Sequence, residues 1–327
     1  TRVRSSAASD VYKRQDWFFA ANPDARVLDR AGESTRNLIS PWYPRLRQLL
    51  AEKSDAVFGA LARMDLLAQL GAVMVDLGPQ GEAIFPAGWG MTATHDHPDP
   101  GFWFYDAHAR ADFLQKMQAR YRTPEAVNRR WGTGLSSWAE LQIPEEGSRP
   151  GPMWEDLLTW YRDSKRDLIV WQLDNYRTML AKYSPQRPPP LVVLIPGIHI
   201  TDGEWSQAVA SGRGGKQTHA MTDTNFLIEA AARRGCWLQY DAVGNASEVG
   251  YISAYIRAHG FDNPLWGENA GGPSARNPAH LADVVIANQL YGVEYINASE
   301  IFGPDTVTPN EVFTEFEAAC RRLQVYF

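Results

Sequence analysis

The chain has 327 residues, 44% hydrophobic and 21% charged, which suits a globular protein with a large core. Its net charge of −6, with acidic and basic residues interspersed, excludes the basic stripe of a nucleic-acid binder. No apolar run approaches the roughly 18 residues of a membrane helix, and two cysteines, Cys236 and Cys320, are too few for a disulfide framework or a zinc cluster.

Thr1 to Gln15 shows no periodicity and reads as translated adapter sequence, so it is set aside as an artefactual tail. Native sequence is expected from about Asp16, cut at its N-terminus. Asn22 to Tyr43 is turn-rich. Pro44 to Leu70 spaces Leu46, Leu49, Leu50, Val57, Leu61, Met64 and Leu67 as an amphipathic helix does. Ala72 to Leu77 is a short apolar run with two β-branched valines, stopped by Gly78-Pro79-Gln80-Gly81; that predicts a buried parallel strand. A long Gly-, Pro- and aromatic-rich loop, Ile84 to Phe104, follows. Helices are predicted over Asp106 to Arg122, from Thr123-Pro124-Glu125, where Thr caps and Pro takes the first position, and over Met153 to Tyr183. Gly132 to Pro152 reads as loop.

Leu191 to Ile195 is a second buried strand, followed by Pro196-Gly197-Ile198-His199. Ser211-Gly212-Arg213-Gly214-Gly215 precedes no clear helix start and reads as a mobile surface loop. Thr222 to Arg234 reads as helix, Trp237 to Val243 as strand, Ala246 to His259 as helix and Pro264 to Trp266 as a short strand. Ala279 to Leu290 is a predicted helix, Gly292 to Ala298 a last strand and Asn310 to Val325 a closing helix. Strands alternate with helices five times, without repeat or domain boundary. The pattern predicts an α/β fold, a (β/α)8 TIM-type barrel that is incomplete: strands 4–8 present and the first three missing.

Glu82 and Glu268 each fall just past a strand end, on the ligand side of such a barrel. Each follows a glycine, which lets the backbone pass close to a ligand. A solvated loop glutamate is the plain alternative for Glu82. Two carboxylates across a pocket are what glycosidic cleavage needs: one protonates the leaving oxygen, the other activates water or attacks carbon. His95-Asp96-His97 with Asp99 sits on a Pro-rich loop, a poor preset geometry for a metal. His199, a lone His after a strand, is as readily a core group as a ligand. The many tryptophans suit sugar stacking, but core packing accounts for most of them. Neither a metal nor an organic cofactor is implied.

Gly78-Pro79-Gln80-Gly81-Glu82, continuing to Phe85-Pro86, resembles the acid-bearing segment of β-amylases, glycoside hydrolase family 14. Trp266-Gly267-Glu268-Asn269-Ala270 resembles that family's second catalytic segment. Phe104-Tyr105-Asp106, Leu158-Thr159-Trp160-Tyr161, Gly197-Ile198-His199 and the Asn22 to Asn37 loop fall in the family's order. The resemblance implies a (β/α)8 barrel and an inverting exo-hydrolase of α-1,4-glucans over residues 16–327. It implies Glu82 as general acid and Glu268 as general base, with Asn269, His199, Pro86, Gln239 and Asn297 as sugar contacts. The chain departs from the family pattern at Leu194 (Lys there), Ile200 and Thr201 (a Trp pair), Gln239 (Glu) and Asn297 (Arg). Trp131-Gly132 and Trp138 resemble instead the retaining β-galactosidase type, in which Glu268 would be the nucleophile. A non-catalytic sugar-binding protein or inactive fragment is the alternative from another class.

Overall fold

A computed structural model of the chain describes residues 18–34, 38–78, 81–86, 101–197, 199–268, 287–288 and 290–296. Two compact units emerge. The first holds residues 1–57, 84–171 and 198–223, the second residues 58–83, 172–197 and 224–327.

The second unit is built on a five-stranded sheet: β1 (Val73–Met74), β2 (Leu191–Ile195), β3 (Trp237–Tyr240), β4 (Leu265–Gly267) and β5 (Val293–Ile296). The strands lie side by side in sequence order, and every pair is parallel. Parallel neighbours need crossovers. The helix Thr224–Ala232 packs on β2 and β3, and Ala246–Ala258 links β3 to β4. β2 is all aliphatic and buried along its whole length, as the sequence predicts. Each such side chain contributes about 1.5–3 kcal/mol by leaving water. On Ala246–Ala258, Val249, Ile252 and Ile256 recur at helical spacing and are buried.

Three predicted elements shift by three residues or more, one of them the third strand, which ends at Tyr240 and not at Val243. The first helix spans Leu46–Arg63, not Pro44 to Leu70; Asp65 takes a left-handed φ of 54° and breaks it, and Leu67–Gln69 follows as a separate 3-10 turn. β1 keeps only two of the six predicted residues. Among the described residues it has a ladder partner on one side alone, and Met74 is 42% exposed.

The first unit is an aromatic and helical assembly. Phe102, Trp103, Phe104, Phe113, Trp154, Leu157 and Tyr161 form its core. Trp103, Trp131, Trp154 and Trp160 are all packed here, in line with core use of tryptophan. The helix Ala107–Tyr121 is capped by Asp106, whose carboxylate accepts from the N–H groups of His108 and Ala109. Pro124–Trp131 is capped by Thr123, with Pro124 first, as predicted. The 32-residue helix Pro152–Tyr183 begins in this unit and ends in the second.

The glycine-rich segment is no loose loop. Gly212 ends the helix Asp202–Ser211 at a φ of 65°, and Gly215 starts the helix Lys216–Ala220. Gly214 donates its N–H to Glu146 Oε1 at 2.8 Å. A Cβ on Gly214 would stand 2.4 Å from His219 Nε2, so glycine is required by contact.

Candidate active site

Alternation along β3 sorts its side chains between two faces. Leu238 and Tyr240 are buried, and Tyr240 donates its hydroxyl to Glu248 on the helix Ala246–Ala258. Trp237, Gln239 and Asp241 therefore share the opposite face. In register with them on β4 are Trp266, opposite Gln239, and then Glu268. The Trp237 and Trp266 rings meet edge to face at 4.9 Å. From within β3, Gln239 donates its amide N–H to Oε2 of Glu268, which directly follows β4, at 2.6 Å. Two of the residues selected from sequence are thus brought together.

The backbone around them is tightly fixed. Glu268 N–H donates to Tyr240 O at 2.8 Å, and Asp241 N–H donates to Ile195 O at 2.9 Å. Val243 N–H reaches Glu268 O at 3.3 Å. Asn288, fully buried, donates to Val243 O at 3.0 Å. The turn Asp241-Ala242-Val243 is packed against two glycines. A Cβ on Gly197 would lie 2.7 Å from Ala242 Cβ, and one on Gly267 2.5 Å from Val243 Cγ1. The glycine before Glu268 is therefore required by packing between strand ends. Gly81, before Glu82, has a φ of 88°, a conformation that suits glycine.

Glu268 is half-buried. Burial first, and the Asp241 carboxylate second, push its carboxyl above the ordinary range, while the Gln239 donor pulls the other way. A carboxylate so tuned is a stronger base than a solvated one. Asp241 and Asn288 were not among the residues selected from sequence. Their importance comes from the register of β3 with β4 and from the fold of the 241–243 turn, for which no local signal exists.

Glu82 lies in the same unit, after β1 and a turn in which Gly81 N–H donates to Gly78 O at 3.0 Å. Only 6% of it is exposed, which overturns the solvated-loop alternative. Pro86 and His199 belong to the first unit. Pro86 is buried, and its carbonyl accepts the Trp103 indole N–H at 2.5 Å. His199 is half-buried beside Ile200, whose N–H donates to Thr222 O at 3.0 Å. Asn269, Asn297, Cys320 and the His95-Asp96-His97 and Asp99 group lie outside the described residues, as do the closing helix and most of the predicted helix Ala279 to Leu290. Among the described residues no group of His, Cys, Asp and Glu could hold a metal ion, and no helix is long and apolar enough to cross a membrane. A cavity of about 480 Å³ in the first unit, bordered by Trp42, Tyr43, Asp112, Lys116 and Trp160, is lined by none of the selected residues.

Comparison with known proteins bears on the fold. A thermophilic β-amylase from Thermoanaerobacterium thermosulfurigenes is 25% identical over 194 residues, covering 56% of this chain and 33% of that protein. The matched region is thus a third of the length of that relative. The catalytic domain of a β-amylase from Paenibacillus polymyxa superposes with a TM-score of 0.67 at 16% identity, over 92% of this chain and 76% of that one. The chain resembles β-amylases in sequence and in fold. A β-galactosidase from the psychrophilic Marinomonas ef1 shares the fold too, with a TM-score of 0.59 at 13% identity over 95% and 49% of the two chains. No family model matches the chain. The fold is that of a TIM barrel, of which the described residues supply five parallel strands.

Proposed function

We propose that this chain is a glycosidase that cleaves the glycosidic bonds of an oligo- or polysaccharide with inversion, Glu82 acting as general acid and Glu268 as general base. The observation that carries the reading is the Glu268 carboxylate, held at the end of β4 by Gln239 at 2.6 Å on the C-terminal side of the sheet. That side is where TIM-barrel enzymes place their chemistry. In the reaction, Glu268 takes a proton from water as its oxygen attacks the anomeric carbon. The C–O bond to the leaving sugar breaks, and Glu82 gives its proton to the departing oxygen.

The arrangement of strands supports the pairing. Glu82 and Glu268 follow β1 and β4, three strand spacings apart, or about 14 Å measured along the sheet. An inverting pair needs its two carboxyls about 6.5–9.5 Å apart, a gap the side chains must close. The resemblance to β-amylases favours an α-1,4-glucan as substrate class, with Gln239, Asn269 and Asn297 as sugar contacts. The departures at Leu194, Gln239 and Asn297 argue for a panel rather than starch alone.

Proton NMR of the first product from a panel of oligosaccharides and aryl glycosides tests the reading. The expected product has the anomeric configuration opposite to that of the bond cleaved. A retained configuration would move Glu268 to the nucleophile's role. No hydrolysis of any member, with folded protein, would support the sugar-binding alternative.

A further inference from the structure

We infer that Asp241 is a positioning residue for Glu268: a second carboxylate, set opposite it by the register of β3 and β4, that fixes how readily the base takes a proton. The inference rests on reading Glu268 as the base. Tyr240 pairs with Gly267, and Glu268 N–H donates to Tyr240 O, so the next step along both strands sets Asp241 against Glu268. Both belong to the face that carries Gln239 and Trp266. Asp241 is anchored through its N–H, which Ile195 O accepts at 2.9 Å, and its carboxylate lies over Gly197, whose missing Cβ would stand 3.7 Å from Asp241 Oδ2.

The groups facing Glu268 act in opposite directions. From β3 come the Gln239 amide, a donor that favours the carboxylate, and the Asp241 carboxylate, which disfavours it. Tyr240, between them, turns away to Glu248. On β2 the residue in register with Gln239 is Leu194, which carries no charge. A base set between one donor and one acid keeps more appetite for a proton than a solvated carboxylate does, which water activation requires. The local sequence Gln239-Tyr240-Asp241 gives no hint of this, since the partner lies on another strand.

Two isosteric or near-isosteric variants test it, Asp241→Asn and Gln239→Leu, in the full chain. The Glu268 carboxyl is titrated directly by carbon NMR on protein labelled at glutamate side chains, with Glu268→Gln used to assign the signal. In parallel, the pH profile of kcat/KM is recorded on the best glycoside of the panel. Asp241→Asn should move the Glu268 midpoint, and the acid limb of activity, to lower pH. Gln239→Leu should move both to higher pH, an opposition that general loss of structure does not produce. An unmoved Glu268 midpoint in Asp241→Asn overturns the inference. A midpoint that moves while the acid limb stays in place upholds the carboxylate pair and overturns Glu268 as the base.

Discussion

Gly267→Ala is the sharpest probe of how the strand ends are held. The added Cβ would lie 2.5 Å from Val243 Cγ1 and 3.3 Å from Val243 Cβ. Carbon atoms rest at about 3.5–4.0 Å, so roughly 1 Å of movement is forced on one partner or the other. Gly267 is not among the positive-φ glycines, so alanine meets no backbone strain there, and contact alone sets the cost. Val243 is fully buried, so any retreat presses on packed neighbours. Overpacking of this kind costs about 1–3 kcal/mol. Val243→Ala alone should cost about 2 kcal/mol, from two lost carbons at about 0.8 kcal/mol each and a small cavity. The double variant should then be more stable than the sum of the two by about 0.5–3 kcal/mol. Urea unfolding of the parent, the two single variants and the double variant measures this. Gly81→Ala serves as a contrast: its Cβ meets only Met74 Sδ at 3.5 Å, but its φ of 88° strains any alanine, and no partner truncation should rescue it. A Gly267→Ala protein within about 0.5 kcal/mol of the parent, or strict additivity with Val243→Ala, would refute the packing argument.

Other outcomes follow from the same geometry. Glu82→Gln should lose about 10²–10⁴-fold in kcat on a natural glycoside but far less on an aryl glycoside whose leaving group needs no proton, whereas Glu268→Gln should be slow on both; equal activity of Glu82→Gln and the parent on the natural substrate would end the acid assignment. Cys236 is buried, and burial pushes its thiol up to about 11, so mass spectrometry after alkylation at pH 8 should find it unmodified in native protein and modified in urea; rapid native labelling would contradict this. Arg234 grips Asp174 with two N–H groups at 2.8 and 3.2 Å, holding that carboxyl below its usual range. Both groups are partly exposed, so Arg234→Met should cost at most about 1 kcal/mol at neutral pH. A depressed carboxyl stabilises above its unfolded pKa and loses that contribution as pH falls through the folded value, so the variant and the parent should converge in acid; a gap in melting temperature that widens toward low pH would be the wrong sign.

Local signals were read well where one force dominates. Leu191 to Ile195 is legible because both of its faces are buried, which demands a continuous apolar run. Thr123-Pro124 and Asp106 are legible because a cap is satisfied by the next three residues alone. The helix Asp202–Ser211 was missed although its signal was local: Thr201 and Glu204 form a reciprocal capping box. The shortened β1 could not be read, because strand length is set by pairing, and β2, its partner among the described residues, comes close only through the fold. Gly214 and Gly267 could not be read either. Their neighbours, His219 and Val243, come close only through the fold, so the sequence marks a glycine without saying whether a ligand, a turn or a packed side chain requires it.

The separation between Glu268 and its loops bears on how such a scaffold can change its substrate. Gln239, Asp241 and Glu268 are placed by hydrogen bonds between β2, β3 and β4 and by the fit of Ala242 and Val243 against two glycines, all within one compact unit. Sites built on strands hold geometry better than sites built on loops. On the proposed reading, therefore, the proton chemistry is fixed by the sheet. The position in register with Gln239 on β2 is Leu194, where the β-amylase pattern carries a lysine, so the surroundings of the base are balanced by an amide and a carboxylate and not by that cation. A neutral amide binds hydroxyl groups by direction rather than by charge, and direction is what tells one neutral sugar from another. Substrate choice can then shift through Gln239 and the loops that follow the strands, while Glu268 keeps its place and its work.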